Sequence, residues 1–180
     1  MITFFIGGAS SGKSLVAEEA AARLTGPVTY VATWCRSAPG PDLSDLEMPD
    51  PDMEARIARH RERRPSSWDL REVGPGEPLG AVLEGIAGAV LVDALGTWVA
   101  HTPDFAVDGS GLCRVLATRP GDTIIVSEEV GMGVHPTTSV GRDFRSALGG
   151  LNQAVAAVAD QVWLVVAGRL LALNPSGMAP

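Results

Sequence analysis

Lysine is almost absent from this chain. One lysine occurs among 180 residues, at position 13, and the other 13 basic side chains are arginines. A lysine kept at a single position has no ready explanation in solubility. We therefore regard Lys13 as a candidate functional residue.

Cysteine is nearly as scarce. Cys35 and Cys113 are the only two and lie far apart, which excludes a disulfide framework and the close spacing of metal-ligating cysteines. We expect both to be free thiols in a reducing compartment. The first residues, MITFFIGGAS, carry no charged leader, and no apolar run approaches the roughly 18 residues needed to cross a bilayer. The chain is predicted to be cytoplasmic, with no membrane span.

Basic charge is not in excess either. The formal charge is −7 and no basic stripe is present, which argues against nucleic acid or an anionic membrane as a partner. Hydrophobic residues make up 46% of the chain and charged residues 19%, as is typical of folded globular proteins. The length predicts one domain, spanning residues 1–180.

Apolar runs at five places predict buried strands, at residues 2–6, 28–32, 89–92, 123–127 and 162–167. They are continuous and rich in β-branched residues, as strands covered on both faces are. Helices are predicted at residues 14–24, 52–64, 79–86 and 142–159, the last with apolar residues at helical spacing. The alternation predicts an α/β fold with a mostly parallel sheet and helices on both faces.

Two stretches interrupt this pattern. Residues 37–51 are rich in proline and acidic residues and are expected to form a flexible loop. Residues 101–120 are expected to be irregular, with a short helix around 112–116.

A phosphate-binding motif joins the first strand to the first helix. Gly7, Gly12, Lys13 and Ser14 complete the pattern G-x-x-x-x-G-K-[ST]. Such glycines let successive N–H groups converge on a phosphate, and the helix directs its positive dipole end to the same place. The lysine reaches the β and γ phosphates and the serine hydroxyl binds Mg²⁺. A glycine-rich turn without a ligand is the alternative, which the motif and its context together disfavour.

Acidic residues follow two of the predicted strands. A P-loop enzyme needs a carboxylate at the end of a neighbouring strand to hold its metal, and Asp93 is the candidate. Asp93 can also serve as the N-cap of a helix over residues 94–100. Glu128 and Glu129 follow the strand at 123–127, and one of them can act as base or metal partner while the other is a solvated loop carboxylate.

Arginines are concentrated at residues 56–64, which read R-I-A-R-H-R-E-R-R. They are either a solvated helix face or a set of planar, bidentate contacts to phosphate. His60 lies on the same helical face as Met53 and Ile57, which suits a buried structural histidine. A neutral imidazole among arginines is also a plausible nucleophile toward phosphorus, and spacing alone does not decide between the two.

Several longer motifs resemble one family. They are G-G-A-S-S-G-K-S at residues 7–14, Y-V-A-T at 30–33, the arginine-rich segment with R-P-S-S-W after it, E-V-G-M-G-V-H-P at 129–136, G-R-D-F-R at 141–145 and L-N-Q-A-V-A-A-V-A-D-Q-V-W-L-V-V-A-G at 151–168. In this order they resemble the bifunctional adenosylcobinamide kinase and adenosylcobinamide-phosphate guanylyltransferase family of cobalamin biosynthesis, from residue 2 to residue 168. Glu128 stands where other members have asparagine.

The resemblance implies a RecA-like P-loop fold, usually in a homotrimer, and two reactions. Adenosylcobinamide is phosphorylated with ATP or GTP. An enzyme histidine then takes GMP from GTP, releasing pyrophosphate, and passes it to adenosylcobinamide phosphate to give adenosylcobinamide-GDP. The family's guanylylated histidine lies four residues before an Arg-Pro pair, which is His60 before Arg64 and Pro65.

The motifs and the resemblance together imply which residues form the site. His60, Lys13, Asp93 and Glu129 are expected to be catalytic, and Ser14 and Asp93 to hold Mg²⁺. The residues expected to bind nucleotide are Gly7, Gly8, Ala9, Ser10, Ser11, Gly12, Lys13, Ser14, Ala32, Thr33, Trp34, Arg61, Glu62, Arg63, Arg64, Glu72 and Asp93.

Overall fold

The computed structural model of the chain describes residues 1–34 and 63–175. Its strands are β1 (Ile2–Gly7), β2 (Val28–Ala32), β3 (Asp69–Glu72), β4 (Ala89–Asp93), β5 (Thr123–Glu128), β6 (Gln161–Val166) and β7 (Arg169–Ala172). Its helices are α1 (Lys13–Ala21), α2 (Leu79–Glu84), α3 (Leu95–Ala100), α4 (Gly109–Thr118) and α5 (Ser139–Val158), with a 3-10 turn at Pro103–Phe105.

The described strands form one sheet in the order β3-β2-β4-β5-β1-β6-β7. All neighbouring strands run parallel except β6 and β7, which are antiparallel. A parallel connection needs a crossover, and described helices supply it between β1 and β2, β3 and β4, β4 and β5, and β5 and β6. The predicted α/β fold with a mostly parallel sheet is therefore confirmed.

Apolar side chains of the strands alternate between two cores, one on each face of the sheet. In β1, Phe4 packs into the core beneath α2 to α5, and Phe5 packs into the core beneath α1. Both rings are at most 3% exposed. Burial on both faces explains why the strand sequences are continuous apolar runs.

Two strands, β3 and β7, were not predicted from the sequence. Both lie at the edges of the sheet, and all their residues are exposed. An edge strand is selected by main-chain pairing to one neighbour and needs no apolar run, so D-L-R-E in β3 gives no periodic signal. In β7 the pattern R-L-L-A is too short to separate from a turn.

The stretch at 101–120 is more regular than expected. It contains the ten-residue helix α4, whose first turn is capped by Asp108, which accepts a hydrogen bond of 2.7 Å from the Gly111 amide. Glycine at positions 109 and 111 weakens the helical signal of the sequence. The cap and the packing of α4 on α2 and α5 compensate for it. The predicted flexible loop at 37–51, and the predicted helix at 52–64 apart from its last two residues, lie outside the described residues.

Helix α5 is the longest of the described helices, at 20 residues. It begins three residues earlier than predicted because Thr138 caps it, accepting a hydrogen bond of 3.1 Å from the Gly141 amide. Its buried apolar positions are Leu148, Leu151 and Val155, as the spacing predicted. No helix in the described ranges is long and apolar enough to cross a membrane.

Arg119 joins two loops at the edge of the sheet opposite the carboxyl ends of the strands. Its guanidinium donates to the carbonyl oxygens of Ile86 and Gly88 at 3.2 and 2.8 Å, and to the Thr123 hydroxyl at 2.6 Å. Burial lowers the pKa of this arginine. We expect Arg119→Ala to lower the free energy of unfolding by about 2–3 kcal/mol, because several backbone carbonyls lose a charged donor.

The matched control is Arg114→Ala, one turn earlier on the exposed side of α4. It should change the free energy of unfolding by less than about 0.5 kcal/mol. Urea titrations of both variants, followed by far-ultraviolet circular dichroism, measure the difference. Equal stability of the two variants would show that the Arg119 hydrogen bonds contribute nothing.

Candidate nucleotide-binding and catalytic site

The carboxyl ends of five strands meet at one edge of the sheet and bring together residues that are distant in sequence. Gly7 at the end of β1 pairs with Glu128 at the end of β5. Ala32 at the end of β2 pairs with Asp93 of β4 on one side and with Glu72 of β3 on the other. Ligands of open parallel sheets bind at this edge, so the topology places the candidate site here.

The loop from residue 8 to residue 12 leaves β1 under tight steric limits. A Cβ atom at Gly7 would lie 2.5 Å from the Val165 carbonyl oxygen and 2.7 Å from Ser11 Oγ. Gly12 has φ +91° and is the N-cap of α1. Only glycine fits position 7 without movement, and glycine adopts the left-handed conformation of position 12 at least cost. The motif glycines are therefore explained by the geometry of the loop.

The β6–β7 hairpin braces this loop from the far side. The Gly168 amide donates to the Ser11 carbonyl oxygen at 2.8 Å, and a Cβ at Gly12 would lie 3.3 Å from Gly168 Cα. The turn residues Ala167 and Gly168 both have positive φ, +51° and +72°, which is the conformation of a tight two-residue hairpin turn. Sequence reasoning missed this support, because β7 was not predicted.

Lys13 is buried, with a relative exposure of 2%. Its Nζ donates to the Gly8 carbonyl oxygen at 3.3 Å and lies 3.6 Å from Glu128 Oε1. The side chain thus folds back over the loop that would hold the phosphates. In this position the ammonium group of Lys13 forms an ion pair with the carboxylate of Glu128 at the end of β5.

Ser14 and Asp93 are in contact across the mouth of the loop. Ser14 Oγ donates to Asp93 Oδ1 at 3.2 Å, and the Tyr30 hydroxyl donates to Asp93 Oδ2 at 2.8 Å. Burial, together with the neighbouring Asp93 carboxylate, raises the pKa of Tyr30, so the phenol stays protonated and remains a donor. The N-cap of α3 is Ala94, so Asp93 is not the cap of this helix.

The end of the arginine-rich segment lies against α1 and β2. Arg63 donates to both carboxylate oxygens of Glu18, at 2.9 and 3.2 Å, and Glu18 is only 8% exposed. The hydrogen bond to Glu18 raises the pKa of Arg63. The guanidinium of Arg64 lies 5.3 Å from the centre of the Tyr30 ring. His60, Arg61 and Glu62 lie outside the described residues.

The remaining expected site residues differ in their surroundings. Thr33 is buried, and its hydroxyl accepts a hydrogen bond of 2.9 Å from the Ala94 amide, which fixes the end of β2 to the turn after β4. Trp34 is half-buried and Glu72 is exposed on β3. Glu129 accepts hydrogen bonds of 2.7 and 3.0 Å from the amides of Gly131 and Met132.

Curated relatives match this chain over nearly its whole length. The bifunctional adenosylcobalamin biosynthesis protein CobP of Pseudomonas aeruginosa is 36% identical, over 97% of this chain and 98% of that protein. The bifunctional adenosylcobalamin biosynthesis proteins CobU of Salmonella typhimurium and Escherichia coli are 33% and 32% identical, each over 93% of this chain and 97% of the relative.

Similarity to a matching solved structure of another protein is low. The flagellar accessory protein FlaH from Methanocaldococcus jannaschii is 15% identical, with a TM-score of 0.47 over 94% of this chain and 74% of that chain. The family described as cobinamide kinase / cobinamide phosphate guanyltransferase matches residues 3–173. The chain therefore belongs to the cobinamide kinase / cobinamide phosphate guanyltransferase family.

Proposed function

We propose that this protein phosphorylates adenosylcobinamide with ATP or GTP and then transfers GMP from GTP to adenosylcobinamide phosphate, giving adenosylcobinamide-GDP. The second reaction passes through a guanylyl group on His60. The observation that carries the proposal is the contact between Ser14 and Asp93 at the mouth of the P-loop, in a chain that matches the kinase and guanyltransferase family over residues 3–173.

In this proposal the loop from Gly7 to Ser14 holds the triphosphate in both reactions. Its backbone amides and the N-terminus of α1 would face the phosphates, and Lys13, whose Nζ lies beside Glu128, would contact the β and γ phosphates. Because Lys13 is buried, its charge acts where water screens it little. This loop, residues 7–14, is the phosphate cradle, and it would serve both phosphoryl transfer and GMP transfer.

Ser14 and Asp93 would hold Mg²⁺. Both offer oxygen ligands, which Mg²⁺ prefers, and the ion usually takes few protein oxygens beside water and substrate phosphates. The 3.2 Å contact between Ser14 Oγ and Asp93 Oδ1 shows that the two groups converge on one place. When bound, the ion neutralises charge that develops on the phosphates during transfer.

The nucleoside side of the site would be formed by the ends of β2 and β3 and by the arginine-rich segment. Ala32 ends β2, Thr33 and Trp34 follow it, and Glu72 ends the neighbouring β3. Arg61, Glu62, Arg63 and Arg64 follow His60 and would contact the nucleotide. The contact of Arg64 with the Tyr30 ring supports this, because the Tyr30 hydroxyl donates to Asp93.

His60 would attack the α-phosphorus of GTP. A bond forms between the imidazole nitrogen and that phosphorus, and the bond to the oxygen that bridges to the β-phosphorus breaks, so pyrophosphate leaves with the electron pair. His60 as the carrier is supported by the match to the kinase and guanyltransferase family, which spans this segment.

We also propose that the protein is a cytoplasmic homotrimer. Exposed apolar side chains lie on β7 at Leu170 and Leu171 and just after it at Leu173, and an edge strand with such residues suits contact with another copy. Among the described residues Cys113 forms no disulfide, which suits a reducing compartment.

The experiment that tests the proposal uses GTP labelled in turn at the α- and γ-phosphorus, with adenosylcobinamide as acceptor. The γ label should appear on adenosylcobinamide, and the α label should appear first on the protein and then on the corrinoid phosphate. Transfer of the γ label without any α label on the protein would indicate a single-function kinase instead. Binding of GTP without transfer of either label would indicate a nucleotide-dependent switch.

A further inference from the structure

Two consecutive carboxylates end β5, and the structure places them differently. The sequence leaves open which of Glu128 and Glu129 acts as a base, and only Glu129 is among the residues expected to be catalytic. The Glu129 side chain accepts hydrogen bonds from the amides of Gly131 and Met132, at 2.7 and 3.0 Å. Each of its oxygens thus holds the turn that follows β5.

Glu128 faces the cradle. Its Oε1 lies 3.6 Å from Lys13 Nζ, and its side chain is 23% exposed. The P-loop lysine contacts the β and γ phosphates of a bound nucleotide. A carboxylate within 3.6 Å of that ammonium group therefore lies beside the place where the γ-phosphoryl group reacts.

The other oxygen of Glu128 is fixed by α3. Glu128 Oε2 accepts a hydrogen bond of 3.1 Å from the Gly96 amide. A Cβ atom at Gly96 would lie 2.1 Å from that oxygen and 2.9 Å from Glu128 Cδ, so the carboxylate occupies space that only glycine leaves. This arrangement orients Oε1 toward the cradle without committing it to a backbone donor.

Helix α5 fixes the main chain of the same residue. Asn152 is 7% exposed, and its Nδ2 donates to the Glu128 carbonyl oxygen at 3.0 Å. The Ser127 hydroxyl donates to Asn152 Oδ1 at 2.6 Å. Hydrogen bonds thus fix both the main chain of Glu128 and one of its carboxylate oxygens. The other oxygen is therefore preorganised to face the cradle.

We propose that Glu128, the carboxylate that stands where other family members have asparagine, is the general base of the phosphoryl transfer in this chain. This inference rests on the proposed function, and deepens it by assigning the group that takes the proton of the acceptor. Glu128 Oε1 accepts the proton of the attacking hydroxyl group. At the same time, the oxygen of that hydroxyl group forms a bond to the γ-phosphorus. The bond from that phosphorus to the β–γ bridging oxygen breaks, and the nucleoside diphosphate leaves with the electron pair. The proton then passes from Glu128 to solvent.

Glu128→Gln tests this assignment, because it keeps the shape of the side chain and removes the base. The expected result is a fall in kcat for γ-phosphoryl transfer of about 10²-fold or more, with KM for the nucleotide within about threefold. Formation of the α-labelled protein adduct should continue at the rate of the unchanged protein, because that reaction has a different nucleophile and a different phosphorus.

Three further variants separate a base from a merely structural carboxylate. Glu128→Asp keeps the acid and should recover part of the lost kcat. Gly96→Ala keeps Glu128 but displaces its carboxylate, and should also lower kcat for phosphoryl transfer. Glu129→Gln decides between the two carboxylates, since the proposal requires its kcat loss to be at least tenfold smaller than that of Glu128→Gln.

Two outcomes would overturn the assignment. If Glu128 only pairs with Lys13, Glu128→Gln will change nucleotide KM and will affect both reactions alike. If Glu129 is the base, the larger kcat loss will follow Glu129→Gln. Failure of the proposed function is distinguishable, because the unchanged protein would then put no label on adenosylcobinamide. Glu128 would in that case be judged by the same comparison on γ-phosphate hydrolysis, in which water replaces the hydroxyl.

Discussion

Lys13→Ala should lower kcat/KM for phosphoryl transfer and for formation of the guanylylated protein, each by about 10²–10³-fold. Both reactions use the same triphosphate, and Lys13 is the one lysine of the chain. Its Nζ is buried beside Gly8 and Glu128, where a charge acts strongly on the phosphates. Initial rates with α- and γ-labelled GTP measure the two losses separately.

Lys13→Arg should restore little of this activity. The side chain is 2% exposed, and a planar guanidinium is bulkier than an ammonium group in so enclosed a position. Arg23→Ala is the matched control, since it removes a positive charge from the exposed end of the α1 region and should leave both rates within about twofold. Loss of one reaction alone in Lys13→Ala would contradict a shared cradle.

The contrast between Lys13 and Glu128 separates the shared part of the site from the part that one reaction uses. Removing the lysine should affect attack at both phosphorus atoms, because it holds the triphosphate itself. Removing the carboxylate should affect only transfer of the γ-phosphoryl group, because only that reaction needs a base at this position. The two variants together therefore test the division of labour within a single pocket.

The buried strands could be predicted from the sequence because their burial on both faces leaves an unmistakable composition. Val28–Ala32 has the predicted bounds, and Ala89–Asp93 and Thr123–Glu128 each extend one residue further. The edge strands β3 and β7 could not be predicted from the sequence. Each pairs with one neighbour only, which leaves its side chains exposed and its residue types unconstrained. The brace from Gly168 to Ser11 was missed for that reason.

The candidate site shows the same division. Gly7, Lys13, Ser14 and Asp93 follow from the motif and from the rule that ligands bind at the carboxyl ends of parallel strands. The position of the Glu128 side chain could not be predicted in this way. It depends on contacts with Lys13 and Gly96, which lie more than 30 positions away in the chain. No local pattern distinguishes Glu128 from Glu129.

His60→Ala should abolish the acid-labile α-label on the protein while γ-phosphoryl transfer to adenosylcobinamide continues. A phosphoramidate is acid-labile, and the imidazole is the group that forms it in the proposed reaction. The bidentate contact of Arg63 with Glu18 anchors the chain three residues after His60, and Arg64 lies over Tyr30, whose hydroxyl donates to Asp93. The loss should be complete, because without its nucleophile the protein cannot form the covalent intermediate.

His101→Ala is the matched control, since His101 follows α3 as its C-cap residue and has no part in the proposed chemistry. It should retain the full stoichiometry of label, measured after denaturation as GMP per chain, and the label should be released by mild acid. Transfer of GMP to adenosylcobinamide phosphate should be lost in His60→Ala together with the label. If the label persists in His60→Ala, another residue is the carrier; if GMP transfer persists without label, the reaction is a direct displacement by the corrinoid phosphate, and the cradle around Lys13 needs no covalent partner.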